Sequence, residues 1–370
     1  MRIIVTGADG FIAQNLRVRL SELKDHQVTA IVKSTSRAQL LEALANADFV
    51  FHLAGVNRPK HEQEFEVGNV EPTAALCAAL AASGRRVPVF YASSTQAALE
   101  NPYGRSKRAA EELLLQYHRD TGANVYIARL PNVFGKWSRP NYNSVVATFC
   151  HNLARRQPIQ INDPAAEVTL VYVDDAVSRT LELLDASGAA GQPFVAVQPE
   201  YRISIGALAE QIKAFREVRS TLVTERVGAG LTRALYATYI SHLPVEDFVY
   251  DIPSYTDPRG TFAEMLKTAD SGQFSFFTAH PGVTRGGHYH HSKTEKFLVI
   301  QGEAHFRFRH LLTGATHEVR TSGAKPQIVE TIPGWAHDIS NTGSQQLIVM
   351  LWANEVFDRV RPDTVSRTLP

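Results

Sequence analysis

At 370 residues the chain exceeds the length at which one hydrophobic core usually stops growing, which points to two domains. With 44% hydrophobic and 20% charged residues and a net charge of +1, it reads as an ordinary globular protein with no global pull toward nucleic acid or membrane. Two cysteines in apolar stretches, Cys77 and Cys150, make no disulfide framework. With no signal-peptide pattern and no apolar run of the roughly 18–20 residues a bilayer span needs, the reading is a cytoplasmic protein.

The first two-thirds alternate short β-branched runs with longer helical patterns, the mark of a parallel sheet covered by helices. Ile3–Thr6 reads as a strand, Gly10–Leu20 as a helix and Val28–Val32 as the next strand. Phe49–Leu53 and Val87–Tyr91 follow as buried strands around the helical run Val70–Ala82, then the amphipathic Ser106–Thr121 and the strand Val125–Arg129. The stretch between Val32 and Phe49 is short and mostly helical, so a third strand is expected to be missing or vestigial. Leu231–Leu243 reads as a helical bridge. Beyond Val245 the texture changes to short alternating segments, among them Gly272–Thr278, Lys296–Ile300, Ala304–His310, Gln327–Thr331 and Gln346–Trp352, as in an antiparallel sandwich or barrel. The expected division is therefore 1–245 and 246–370.

Directly after the first strand comes Thr6-Gly7-Ala-Asp-Gly10-Phe11-Ile12-Ala13. Gly7 and Gly10 remove side chains where a pyrophosphate must touch backbone N–H groups, and the helix opened by Phe11 and Ile12 supplies a partial positive charge. Leu53 and Ala54, ending a later strand, complete the expected dinucleotide-contacting set. An acidic residue at the end of the second strand would favour NAD. Lys33 and Arg37 stand there instead, which suits the 2′-phosphate of NADPH, although solvated surface charges would read the same way. Tyr103-Gly-Arg-Ser-Lys107 places a phenol and an ammonium one helical turn apart, and the nearby cation lowers the phenol's pKa toward use as a proton donor. Ser93, Ser94 and Thr95 put hydroxyls at the carboxyl edge of the sheet.

The ordered set Gly7-x-x-Gly10, His52-Leu-Ala54-Gly55, Asn69-Val-x-x-Thr73, Ser93-Ser94, Tyr103-x-x-x-Lys107, Arg129-Leu-Pro-Asn132-Val-Phe-Gly135 and Tyr172-Val-Asp174-Asp175 resembles the extended short-chain dehydrogenase/reductases acting on nucleotide sugars. The resemblance covers essentially residues 1–220. It implies that Tyr103 exchanges a proton with the substrate oxygen and that Lys107 holds the ribose and tunes the phenol. Ser94 would orient the carbonyl, with Ser93 or Thr95 as competitors, and Asn132 would contact the substrate. Two departures stand out: the Ser94–Tyr103 interval is short, and the acidic adenine-contacting segment is not recognisable.

In the second half, Gly282-x5-His288-x-His290-x4-Glu295-x6-Gly302 and Pro333-Gly334-x-x-His337-x3-Asn341 resemble the cupin signature. Strand alternation would point His288 and His290 to one face, with Glu295 starting the next strand and His337 returning from a distant one. Imidazoles plus a carboxylate suit one first-row divalent ion, zinc foremost. A barrel whose histidines form a satisfied polar core is the other reading. Upstream, Asp257-Pro-Arg259-Gly-Thr-Phe262-Ala-Glu264 is similar to the opening of cupin-type sugar-nucleotide epimerases. That resemblance implies substrate contacts by Arg259, Phe262 and Glu264, where a plain hairpin with a surface Asp–Arg pair is the alternative.

The expected fold is thus an α/β Rossmann-type doubly wound parallel sheet followed by an all-β cupin (jelly-roll) barrel. Over nearly its full length the chain resembles the bifunctional reductase–epimerases of UDP-N-acetyl-L-fucosamine synthesis for capsule or O-antigen. The resemblance implies a UDP-sugar substrate, C3 epimerisation in the barrel, NADPH-dependent C4 reduction in the N-terminal domain, and a homodimer. A reductase with a structural barrel and a non-catalytic NADP sensor are the readings it must be tested against.

Overall fold

The structure, a computed structural model, describes residues 1–185, 192–252, 254–257, 260–263, 266–268, 272–355 and 360–370. In chain order the first half runs β1 (Arg2–Thr6), α1 (Phe11–Ser21), β2 (Gln27–Ile31), α2 (Arg37–Ala45), β3 (Phe49–His52), α3 (Glu71–Ala82), β4 (Val89–Ser94), α4 (Pro102–Thr121) and β5 (Val125–Leu130). Next come β6 (Asn132–Phe134), α5 (Val145–Ala154), β7 (Glu167–Tyr172), α6 (Val173–Asp185), β8 (Tyr201–Ser204), α7 (Ile205–Thr221), β9 (Val223–Thr224) and α8 (Gly230–Ser241). Strands then follow almost alone: β10 (Val249–Asp251), β11 (Ser254–Asp257), β12 (Gly260–Ala263), β13 (Lys267–Thr268), β14 (Gln273–Ala279), β15 (Thr284–Tyr289) and β16 (Glu295–Gln301). The last are β17 (Glu303–His310), β18 (Thr316–Ser322), β19 (Gln327–Glu330), β20 (Trp335–Asn341), β21 (Leu347–Ala353) and β22 (Val365–Ser366). Packing groups these into two compact units, Met1–Phe134 with Val168–Arg202, and Gly135–Glu167 with Ile203–Pro370.

The first unit is built on a parallel five-stranded sheet in the order β2-β1-β3-β4-β5. Ile3, Ile4 and Val5 are buried, as a strand covered on both faces requires. No strand lies between β2 and β3; of the two expectations, a missing or a vestigial third strand, the structure shows the first, and α2 alone makes the crossover. Strand order reverses between β1 and β3, creating the switch point at which ligands settle in open α/β sheets. α4 starts earlier than the apolar pattern predicts. Asn101 caps it by accepting the Gly104 N–H at 2.7 Å, and Pro102 occupies the first turn, where its missing N–H costs nothing. Leu114 and Tyr117 on its inner face join Leu76, Leu80, Tyr91 and Ile127 in the core.

In the second unit, α5, α7 and α8 pack on one another, with Leu235, Tyr236 and Tyr239 of α8 buried. Its strands form two five-stranded antiparallel sheets, β10-β19-β16-β21-β14 and β18-β17-β20-β15-β22. Their apolar faces meet through aromatic rings, Phe297 against Phe306 at 5.6 Å between centroids, and Phe248, just before β10, packs on Phe308 at 5.6 Å. Both cysteines are free thiols, and burial pushes that of Cys77 up to about 12. Among the described residues no helix is long and apolar enough to cross a membrane.

Candidate functional site

The carboxyl edge of the parallel sheet gathers the N-terminal candidates. Gly7 follows β1 with φ +63°, and a Cβ there would lie 2.6 Å from the Ala54 backbone, so only glycine lets the loops after β1 and β3 touch. The Gly10 N–H closes the turn on the Gly7 carbonyl at 2.8 Å. No side chain caps α1 and no acidic residue sits in its first turn, which leaves the amides around Phe11 and Ile12 for an anion. Leu53 and Ala54 thus stand beside the glycine loop. Lys33 and Arg37 both lie exposed at the end of β2 and the start of α2, and neither pairs with an acidic group among the described residues.

A polar relay braces this switch point. The Asn69 carbonyl can only accept, so the Thr73 hydroxyl donates to it at 2.7 Å and must accept from His52 Nε2–H at 2.9 Å. His52 Nδ1 then accepts from the Thr6 hydroxyl at 2.7 Å, whose oxygen receives the Ala54 N–H at 3.3 Å. Burial, helped by the Lys107 charge, pushes the imidazole down to about 3 and keeps this directional chain neutral. Sequence reading quoted His52 and Thr73 in a motif without a role; their roles depend on a contact between elements that spacing does not encode.

Tyr103 and Lys107 lie one turn apart on α4. Gly104 between them is required by packing, since a Cβ there would sit 2.2 Å from the Gln96 carbonyl oxygen. Lys107 is buried; its Nζ donates to the Ala92 carbonyl at 2.7 Å and lies 4.2 Å from the Tyr91 ring centroid. Burial pushes this ammonium down to about 7, with Glu111 pulling the other way. The Tyr103 ring is half-buried, 5.7 Å from that of Phe65. Among the three hydroxyls, Ser93 is buried and donates to Glu111 Oε1 at 2.5 Å, while Ser94 is half-buried at the end of β4 and Thr95 is exposed. Glu111 also receives the Arg129 guanidinium, at 2.6 Å at its closest, so a buried carboxylate that sequence reading missed stands behind the lysine. Asn132 is exposed on β6 and donates to the Thr169 carbonyl at 3.2 Å.

In the second unit, ligand atoms of His288, His290, Glu295 and His337 all lie within 4.8 Å of one another. His288 and His337 are direct partners across β15 and β20, with ring centroids 4.8 Å apart. The route to His290 differs from simple alternation. The ladder slips between Gly286 and His288, and β15 ends at Tyr289, so His290 reaches the cluster from the following turn. His290 Nδ1 lies 2.5 Å from the Asp363 carbonyl oxygen, which can only accept and therefore fixes the proton on Nδ1. Its Nε2 faces Glu295 Oε2 at 3.1 Å, an arrangement that needs a cation or a second proton between the two atoms. His337 Nε2 is buried and lies 3.5 Å from Glu295 Oε2, too far for a well-formed hydrogen bond. Burial pushes His288 down to about 3 and lowers His337 too. Burial opposes ionisation of Glu295, yet His290 and His337 outweigh it and hold its carboxyl well below the usual range. The lowered imidazoles of His288 and His337 beside an ionised carboxylate suit a divalent ion. Arg259 and Glu264 fall outside the described residues; Phe262 lies on β12, and its side chain is likewise outside them.

Residues 3–196 match the NAD dependent epimerase/dehydratase family, and residues 255–365 match the polysaccharide biosynthesis C-terminal domain. A curated relative, the UDP-2-acetamido-2,6-beta-L-arabino-hexul-4-ose reductase of Pseudomonas aeruginosa, is 59% identical over 99% of this chain and 98% of its own. The GDP-6-deoxy-D-mannose reductase of the same species is 30% identical over 52% of this chain and 73% of its own. The solved structure of the capsular polysaccharide assembling protein CapF from Staphylococcus aureus, 38% identical, superposes with a TM-score of 0.68 over 100% of both chains. The chain, with its glycine loop and switch point on a parallel sheet and its Tyr103–Lys107 pair on α4, belongs to the NAD dependent epimerase/dehydratase family.

Proposed function

We propose that the chain is a bifunctional sugar-nucleotide enzyme that acts on a UDP-4-keto-6-deoxy-N-acetylhexosamine. In this reading residues 1–245 form an NADPH-dependent reductase and residues 246–370 a cupin that inverts C3, working in the cytoplasm as a homodimer. The product is UDP-2-acetamido-2,6-dideoxy-L-talose. The observation that carries the reading is the placement of Tyr103 and the buried Lys107 beside the loops after β3 and β4. The reductase name of the 59% identical relative supports the substrate class.

NADPH, when bound, supplies the hydride that reduces C4. The Gly7–Gly10 loop and the first turn of α1 receive the cofactor pyrophosphate, and Lys33 and Arg37 meet its 2′-phosphate. The Tyr103 phenol donates its proton to the ketone oxygen as C4 becomes a secondary alcohol. Lys107 favours the phenolate that is left and holds the ribose. Ser93 is committed to Glu111, so Ser94 is proposed to orient the carbonyl, with the exposed Thr95 as its competitor.

In the barrel, the C4 ketone acidifies the C3 proton, which is removed from one face and returned to the other through an enolate. The buried Nε2 atoms of His290 and His337, both turned toward the Glu295 carboxylate, fit a divalent ion, zinc foremost, held by His288, His290, Glu295 and His337. Such an ion supplies Lewis acidity or holds the barrel in shape. Arg259, Phe262 and Glu264 are proposed to grip the nucleotide.

The decisive experiment incubates the keto-sugar with the protein in D2O, without NADPH, and follows C3 by NMR. Deuterium at C3 is expected. Its absence would leave a reductase with a structural barrel. With NADPH, Tyr103→Phe is expected to slow reduction by about 10²–10⁴-fold; unchanged NADPH oxidation would sink the reductase mechanism.

A further inference from the structure

The turn that carries His290 has a backbone problem. Between the end of β15 at Tyr289 and the start of β16 at Glu295, residues 290–294 are buried but form no strand, so their N–H groups need acceptors from elsewhere. Thr294 N–H goes to Asn354 Oδ1 at 2.9 Å. Those of residues 291–293 go to a single residue far along the chain. His291 N–H donates to Asp363 Oδ1 at 2.8 Å, and the Ser292 and Lys293 N–H groups both donate to Oδ2 at 2.7 Å. The Ser292 hydroxyl adds a fourth bond to Oδ2 at 3.1 Å. Successive amides converging on one carboxylate form an anion nest, here filled by the protein's own side chain.

The same residue also holds the ring of His290, through its main-chain carbonyl at 2.5 Å. Side chain and backbone of one aspartate thus fix both the turn and the imidazole it presents. The segment that follows continues the grip. β22 pairs with the other histidine strand, Ser366 opposite His288, and Arg367 N–H donates to the Gly287 carbonyl at 2.7 Å. Lys293 Nζ donates to Thr364 Oγ1 at 3.0 Å, and Arg307 holds the carbonyl oxygen of Pro370 at 2.8 Å.

We propose that Asp363 is the positioning residue of the His288–His290–Glu295–His337 cluster, and that residues 363–370 form a C-terminal clip that presents two of its histidines to a divalent cation. The inference rests on the reading that this cluster holds a metal. Asp363 does not contact the ion; it orders the turn and keeps the proton on His290 Nδ1, so that Nε2 stays available as a ligand.

The test uses the full chain with Asp363→Ala, Asp363→Asn and, as a control, Arg367→Ala, whose side chain is exposed and whose backbone bond survives. Zn²⁺ affinity is measured by chelator competition, cluster geometry by the visible spectrum of bound Co²⁺, and the His290 tautomer by ¹⁵N NMR of the metal-free protein. Asp363→Ala is expected to weaken Zn²⁺ binding by about 10–100-fold, alter the Co²⁺ bands and, although the backbone carbonyl remains, release His290 from its single tautomer as the unpinned turn carries the ring away from that carbonyl. Asp363→Asn, which keeps one acceptor oxygen for the turn, should recover part of the affinity. Arg367→Ala should match the wild type. Wild-type affinity and spectrum in Asp363→Ala would overturn the proposal. If circular dichroism shows that Asp363→Ala does not fold, Asp363→Asn decides in the same way: weaker Zn²⁺ binding supports the clip and wild-type behaviour refutes it. A wild-type chain that takes up neither ion would instead refute the metal reading, and the metal-free tautomer of His290 in wild type and Asp363→Asn would still decide the positioning role.

Discussion

Replacing Lys107 by methionine is expected to stabilise the cofactor-free protein while abolishing reduction. Lys107 is 4% exposed, and burial pushes its ammonium down to about 7. An unfolded chain keeps lysine protonated up to about pH 10.4, so between pH 7 and 10 the unfolded state binds more protons than the folded one. Stability therefore rises with pH through that window. Relative to a side chain that does not titrate, the shift costs the fold about 4 kcal/mol at pH 7 and about 2 kcal/mol at pH 9. Methionine keeps most of the volume but loses the bond to the Ala92 carbonyl and the contact with the Tyr91 ring, together about 1–2 kcal/mol. Lys107→Met should accordingly be more stable than wild type by about 2–3 kcal/mol at pH 7, and about equal to it near pH 9. Urea denaturation of both proteins without cofactor, followed by far-UV circular dichroism at the two pH values, measures this. A stability difference that stays constant from pH 7 to pH 9 would refute the depressed lysine, whatever its sign.

Two further outcomes follow from charge placement. Lys33→Ala and Arg37→Ala should each reduce the ratio of kcat/KM for NADPH over NADH by about 10-fold or more, through loss of a charge-assisted bond to the 2′-phosphate; an unchanged ratio would make both residues plain surface charges. In the second unit, Glu330 is buried between Lys296, with which it forms a close ion pair, and Arg219, at 2.5 Å. Glu330→Gln strands two cations and should cost about 3–5 kcal/mol, whereas Lys296→Met leaves Glu330 its arginine and should cost clearly less; thermal unfolding that ranks them the other way would contradict this.

What could be read in advance was local. Gly7 and Gly10 are legible because a strand followed by glycines and a helix has few structural meanings, and His288, Glu295 and His337 because they stand at the positions of the cupin signature. The apolar pattern marked the body of α4 from Ser106 and the Tyr103-x-x-x-Lys107 spacing marked its start, while the Asn101 cap was not read. The His52 relay, the Ser93–Glu111–Arg129 network and Asp363 were not legible. Each depends on a pairing between residues distant in sequence, and a buried carboxylate such as Glu111 looks in sequence like any solvated charge on an amphipathic helix. The choice among Ser93, Ser94 and Thr95 had the same origin: neighbouring hydroxyls look alike in sequence, and the partner that claims Ser93 sits on another element.

Strand β16 explains why the cluster in the barrel needs so many supports. Successive residues on a strand face opposite sides, so Glu295 points into the histidine cluster while Lys296 points away, toward Glu330 and Tyr250. A slip of one residue would exchange them, placing an ammonium among three imidazoles and a carboxylate beside Glu330. Charges of opposite sign on opposite faces thus specify the register of β16 more strongly than apolar alternation could. They do not specify the turn that precedes it, where no ladder hydrogen bonds exist. That turn takes its order from Asp363 at one end and Asn354 at the other, and Thr331 accepts the Glu295 N–H at 2.9 Å where the strand begins. Ladder register places Glu295, and side-chain capping places His290. The cluster is complete only where the two meet.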